Sequence, residues 1–248
     1  MNTSKPLLGV LGGLGPMSTF YFCELLTAHT SATCDADHID MLISSRASTP
    51  DRTAFILGTS TDDPLPVMKR EAERLTGAGA ELLVIPCNTA HYFYDGLRAS
   101  CSVPVLNIIE ETVLHLHRNG VQRFGLLATE GTRASGAYRR FSDPLGMTCV
   151  EPTAEEQAQI MQIIYGCIKQ NRPIDWNAFF SVTDAMRVRG CERLVLGCTE
   201  LSLLKRAGLD EGVFVDSLEV LAYRTILACK KIPIGFPTDF SADKESAT

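Results

Sequence analysis

The sequence predicts an α/β protein made of two similar αβα domains with parallel sheets related by pseudo-symmetry, with the active site in the cleft between them. Three observations lead there. Short aliphatic runs alternate with segments of helical spacing along the whole chain, the pattern of parallel strands covered by helices on both faces. The stretch ELLVIPCNTAHYF, from Glu81, is echoed by ERLVLGCTELSLL, from Glu192, with Glu81/Glu192, Leu83/Leu194, Val84/Val195 and Cys87/Cys198 in register. The stretch LGVLGGLGPMST, from Leu8, is likewise echoed by FGLLATEGTRAS, from Phe124, matching Gly9/Gly125, Leu11/Leu127 and Gly15/Gly131. The offset is 116 residues at the glycines and 111 at the cysteines, so one device is made twice.

In chain order, Leu7–Leu11 reads as a buried strand entering a glycine turn and then a helix, and Met41–Ser44 as a second strand. Leu65–Thr76 has helical spacing; Glu81–Ile85 and Val105–Ile108 are short aliphatic runs of strand length; Ile109–Asn119 returns to helical spacing. The second half repeats the scheme, with strand Phe124–Ala128, helices Ala154–Gln170 and Trp176–Val188, and strand Arg193–Leu196. A last strand, Val213–Val215, opens a segment to Pro237 with no counterpart at the end of the first half. We expect it to pack back on that half. The expected domains are therefore residues 1–108 completed by 211–248, and residues 109–210.

With 45% hydrophobic and 21% charged residues in 248, the chain has ample material for a core. Its net charge of -6 and lack of a dense Lys/Arg block exclude a nucleic-acid surface, while a few local cations suffice for a small acidic substrate. No apolar stretch is long enough to cross a bilayer, and PLLGVLGGLG is not a signal peptide, so we expect a cytoplasmic protein without membrane partners. Nine cysteines without paired short spacings form neither a disulfide framework nor a CxxC site. Most are expected to be core thiols.

Cys87 and Cys198 differ from the rest by context. Each ends a strand, where ligands bind in open parallel sheets, and each is followed by polar residues: Asn88 and Thr89, or Thr199 and Glu200. A helix N-terminus there would favour thiolate over thiol. Two thiols facing across a cleft suit inversion at a stereocentre, one removing a hydrogen and the other returning a proton to the opposite face. The plain alternative, two small buried hydrophobes, does not account for their repetition.

His91, four residues after Cys87, reads as helix packing, as a partner polarising the thiol, or as half of a zinc pair without further ligands nearby. Arg52, between Pro50-Asp51 and Thr53 in an irregular stretch, is placed as loop binding residues are. Lys169, near the end of an amphipathic segment, reads on physics alone as a solvated helix-terminal cation. GGLG lacks the remainder of a dinucleotide motif and is read as a close-approach loop admitting an anionic substrate.

The segments GVLGGLGPMST, TPDRT, PCNTAH, LLATEGT and LGCTELSLL, in this order over nearly the whole chain, resemble the aspartate/glutamate racemase family, in particular its aspartate racemase branch. Glutamate racemases of cell-wall synthesis carry Asp and Ser in the first loop and His after the second Cys-Thr; this chain has Gly12, Gly13 and Glu200. The resemblance implies Cys87 and Cys198 as acid/base thiols acting without pyridoxal phosphate or metal. It implies substrate binding by Met17, Arg52, Asn88, Thr89, Thr132, Lys169, Thr199 and Glu200, an acidic amino acid as the small-molecule partner, and a homodimer. Arg52 would grip a carboxylate bidentately and Lys169 would add a point charge. Two other functions share these features: a two-cysteine isomerase of an unsaturated diacid such as maleate, and a sensor that binds an acidic amino acid without turnover.

Overall fold

Both halves are wound alike. The computed structural model describes residues 5–209 and 212–241. In the first half, β1 (Leu8–Gly12) leads into α1 (Pro16–Ala28), β2 (Met41–Ser45), α2 (Arg52–Ile56), α3 (Leu65–Gly77), β3 (Leu82–Val84), α4 (Tyr94–Arg98), β4 (Val105–Leu106) and α5 (Ile108–Arg118). In the second, β5 (Arg123–Leu127) leads into α6 (Glu130–Ala134), α7 (Ala137–Ser142), β6 (Thr148–Val150), α8 (Ala154–Met161), α9 (Trp176–Val188), β7 (Arg193–Leu196), α10 (Leu203–Arg206), β8 (Phe214–Asp216) and α11 (Ser217–Ala228). The sheets have the orders β2-β1-β3-β4 and β6-β5-β7-β8, with every pairing parallel.

The repeated glycines have a packing cause. Gly9 pairs with Leu83 and Gly125 with Leu194. A Cβ on Gly9 would stand 2.5 Å from Leu83 Cδ2, and one on Gly125 2.6 Å from Leu194 Cδ2. The leucine of the neighbouring strand occupies the volume each glycine leaves open.

Alternation along the strands divides the core into three. Leu82, Val84, Leu126 and Val195 face a central cluster shared by both halves, which includes Phe22, Val113 and Leu221. Leu83 and Ile85 face outward with Met68 and Leu75; Leu194 and Leu196 face outward with Phe179 and Met186. Because the central cluster draws on both sheets, the strand ends of the two halves are held against each other by apolar burial.

Two expectations are corrected here. The last strand does not belong to the first half: β8 pairs with β7, and β8–α11 is the counterpart of β4–α5. The rest of the segment does return to the first half: α11 packs on α5 and α1, and the chain after it bridges Pro233 to Thr30, with the Ser31 N–H donating to the Ile232 carbonyl and the Ile234 N–H to the His29 carbonyl. A three-residue strand carries no mark of its partner, and the free edge of β7 decides. Residues 1–4, 211 and 242–248 of that expected domain lie outside the described residues. The single helix expected over Ala154–Gln170 is instead α8, capped by the Thr153/Glu156 box, followed by a π-helical turn Gln162–Cys167 and a 3-10 turn Ile168–Gln170. The π turn re-aims the chain just before Lys169, a use common at functional sites. The edge strand β6, half exposed and short, has no legible apolar run.

Candidate active site

Cys87 and Cys198 follow β3 and β7, so the repeat brings them to equivalent strand ends. Both are buried, and both line one cavity with Arg52, Thr89, Lys169 and Glu200. The loops touch directly: Thr199 Oγ1 donates to the Pro86 carbonyl at 3.2 Å. The cavity measures about 10 Å³, room for roughly one water molecule.

Burial, rather than a helix dipole, governs both thiols. Cys87 is followed by the 3-10 turn Thr89–Phe93 and Cys198 by turns before the four-residue α10, so neither sits at a long helix. Burial pushes Cys87 above the usual thiol range, opposed by the Arg52 charge and augmented by Glu200. Burial likewise raises Cys198, with Glu200 again adding and Lys169 opposing. The expected lowering by helix N-termini is thereby corrected. The two sulfurs are nonetheless unlike, one beside a cation and the other beside a carboxylate.

Glu200 is the hub of the second side. The Cys198 thiol donates to its Oε2 at 3.0 Å, and Lys169 Nζ lies 3.1 Å from its Oε1. Burial alone would lower the Lys169 pKa, but Glu200, Cys198 and Tyr165 together raise it. Its ammonium also lies 5.0 Å over the Tyr165 ring. Lys169 thus keeps its place in the last turn and part of its exposure, but its ammonium is paired and lines the cavity.

Arg52 opens α2 behind the N-cap Asp51, whose side chain accepts from the Ala54 N–H. Its guanidinium is committed differently from the expected bidentate grip. Nη2 donates to the Leu14 carbonyl at 2.7 Å, and Nη1 to the Pro50 carbonyl at 3.0 Å. Buried Nε alone finds no partner among the described residues. The fork braces two loops and keeps the Nε–H and one Nη2 N–H uncommitted among the described residues.

The remaining expected residues separate into three groups. Thr89 lines the cavity, and its hydroxyl bonds to those of Thr129 at 2.9 Å and Thr132 at 3.0 Å. Thr132 is the third member of this triad, bonded to Thr129 as well, and does not line the cavity. Asn88 lines it, but its side chain donates to Ser217 and accepts from the Tyr138 hydroxyl, joining the halves. Met17 is not in the cavity; it is 61% exposed on a neighbouring groove, because it falls on the outer face of α1. His91 binds main chain on both sides: Nδ1 lies 2.8 Å from the Cys87 carbonyl, and the Ile108 N–H donates to Nε2. It braces the loop, as the packing alternative holds.

Thr129, Thr53 and Tyr165 also line the cavity and were not anticipated. Thr129 is the repeat counterpart of Gly13, and Tyr165 lies four residues before Lys169, so both positions had a signal. The close approach expected of the glycine loop is real. A Cβ on Gly15 would stand 2.4 Å from Glu200 Oε1, and one on its counterpart Gly131 would stand 2.9 Å from Thr53. The anion that approaches Gly15 is the chain's own.

Comparison with known proteins agrees in fold and extent. The model of the family described as Asp/Glu/hydantoin racemase matches residues 11–224. The broad specificity amino-acid racemase RacX of Bacillus subtilis is 26% identical over 228 residues, covering 89% of this chain and 96% of the relative. The aspartate racemase of Picrophilus torridus superposes with a TM-score of 0.81 at 26% identity, over 92% of this chain and 96% of the other. An aspartate racemase homologue from Pyrococcus horikoshii shares the fold, with a TM-score of 0.72 at 22% identity over 92% and 100% of the two chains. No helix among the described residues is long and apolar enough to cross a membrane.

Proposed function

The chain belongs to the Asp/Glu/hydantoin racemase family, and from that premise we propose that it interconverts L- and D-aspartate, and also glutamate, with Cys87 and Cys198 as the paired acid and base. One observation carries this: cysteines from equivalent ends of a repeated fold line a single cavity that also holds two cations, Arg52 and Lys169. The two cations match the two carboxylates of an acidic amino acid. The Picrophilus torridus relative supports aspartate; the Bacillus subtilis relative makes neutral amino acids a necessary arm of the test.

In this mechanism one thiolate takes the α-hydrogen and the opposite thiol protonates the other face. Burial disfavours ionisation of both thiols; Arg52 partly offsets this at Cys87, whereas Glu200 adds to it at Cys198. One direction thus starts with Cys87 as base and Cys198 as acid, and the return exchanges the roles. Main-chain N–H groups and hydroxyls of the loops, Thr89 among them, stabilise charge as the α-hydrogen leaves.

Circular-dichroism assay of both enantiomers of aspartate, glutamate and several neutral amino acids tests the substrate. In heavy water, the enzyme should place deuterium at the α-position of aspartate. Cys87→Ser and Cys198→Ser should each lower kcat by roughly 100- to 10,000-fold with the fold intact. Undiminished racemisation by both variants refutes the assignment.

A further inference from the structure

We propose that Glu200 sets the substrate class by competing with the substrate for Lys169: its carboxylate holds the lysine until a substrate carboxylate takes its place. The proposal rests on the racemase reading of the cavity and assigns the residue that decides what enters it.

Lys169 and Glu200 are the two residues shared by the inner cavity and the outer groove that holds Met17. The inner space is about 10 Å³ and the groove about 700 Å³. An amino acid fits the second and not the first. The ion pair, at 3.1 Å, therefore lies between an open approach and a closed reaction site. Glu200 is also built into place. Its other oxygen accepts from the Cys198 thiol, and Gly15 leaves room for it where a Cβ would not. The glycine's φ of -111° is one that alanine adopts, so the requirement at Gly15 is for space alone.

A carboxylate presented to Lys169 can replace Glu200 like for like, leaving the partly buried ammonium paired. A neutral side chain cannot, and removing Glu200 without a substitute would leave a partly buried cation uncompensated. An acidic amino acid brings one carboxylate for Arg52 and one for Lys169. A neutral one brings a single carboxylate and leaves the second cation with Glu200. Displacement of Glu200 also removes the acceptor from the Cys198 thiol as the substrate arrives beside it.

Succinate, with two carboxylates and no ammonium, is the probe. Its affinity should be about tenfold or more tighter for Glu200→Gln than for the wild-type chain by calorimetry. Gly15→Ala, which displaces the carboxylate by volume and leaves every charge in place, should move affinity in the same direction. Iodoacetamide should label Cys198 faster in both variants, as read by peptide mass spectrometry. Succinate affinity that is equal, weaker or undetectable in both variants overturns the proposal. So does a loss of aspartate affinity in Glu200→Gln without a gain for succinate, which would place Glu200 on the substrate ammonium. Deuterium exchange into aspartate by the wild-type chain separates the two readings. Exchange with unchanged succinate affinity removes only this inference, whereas no exchange into any amino acid removes the racemase assignment beneath it.

Discussion

His91 is 5% exposed and carries a polar ring into the core beside Cys87. Burial drives its pKa down to about 4, against the opposing pull of the Cys87 and Leu106 main chain, so the folded protein holds it neutral. Because the folded value lies below the ordinary 6.5, its contribution is present in full above that pH. It is lost as pH falls through about 4. The size is roughly 3 kcal/mol. Urea denaturation at pH 7 and pH 4 should therefore show a larger fall in stability for the wild-type chain than for His91→Gln. Equal falls would mean that the imidazole does not remain neutral in the fold. The cysteines carry the same lesson: residue type and strand end were legible, but the direction of the thiol shift depended on how deeply each sulfur lies.

The elements repeat because their packing repeats. β1 and β5 each pass a leucine of the next strand through the space of a missing side chain, at Gly9 and Gly125. Alanine at either position puts a methyl group within 2.6 Å of a buried leucine, an overpacking cost of about 1 to 3 kcal/mol. Gly9→Ala and Gly125→Ala should each lower the denaturation midpoint, and by comparable amounts, since both meet a leucine Cδ2. A neutral result at one of them would show that the two halves do not pack equivalently there. Strands β1, β3, β5 and β7 were legible because parallel strands buried on both faces need continuous aliphatic runs. The π turn after α8 was not, because Gln162–Cys167 continues the apolar spacing of the helix before it, and no residue type marks the change from i→i+4 to i→i+5 bonding that re-aims the chain.

For the whole molecule, the two halves are joined by a buried polar chain as well as by the central core. Asn88 donates to Ser217, Ser217 donates to the Leu196 carbonyl, and Tyr138 donates to Asn88. These bonds tie the loop after β3 to the end of β7, the two places that carry the cysteines. Asn88→Ala would leave the buried Tyr138 hydroxyl without this acceptor and Ser217 without this donor, costing about 1 to 3 kcal/mol. Calorimetric unfolding should show the loss. If stability is unchanged while racemisation falls, Asn88 belongs to the substrate instead of the scaffold.

The chain's own order of residues determined that there are two equivalent αβ halves, that Cys87 and Cys198 occupy matching strand ends, and which polar residues follow them. Each of these is written locally, in apolar periodicity and in a repeat that survives in register. The tertiary structure decided the rest: β8 on the second sheet, Met17 outside the cavity, the Arg52 fork turned onto main-chain carbonyls, and Glu200 between Lys169 and Cys198. These depend on which groups from distant segments meet in one buried volume. There, desolvation and a single neighbouring charge outweigh anything a residue's sequence neighbours impose.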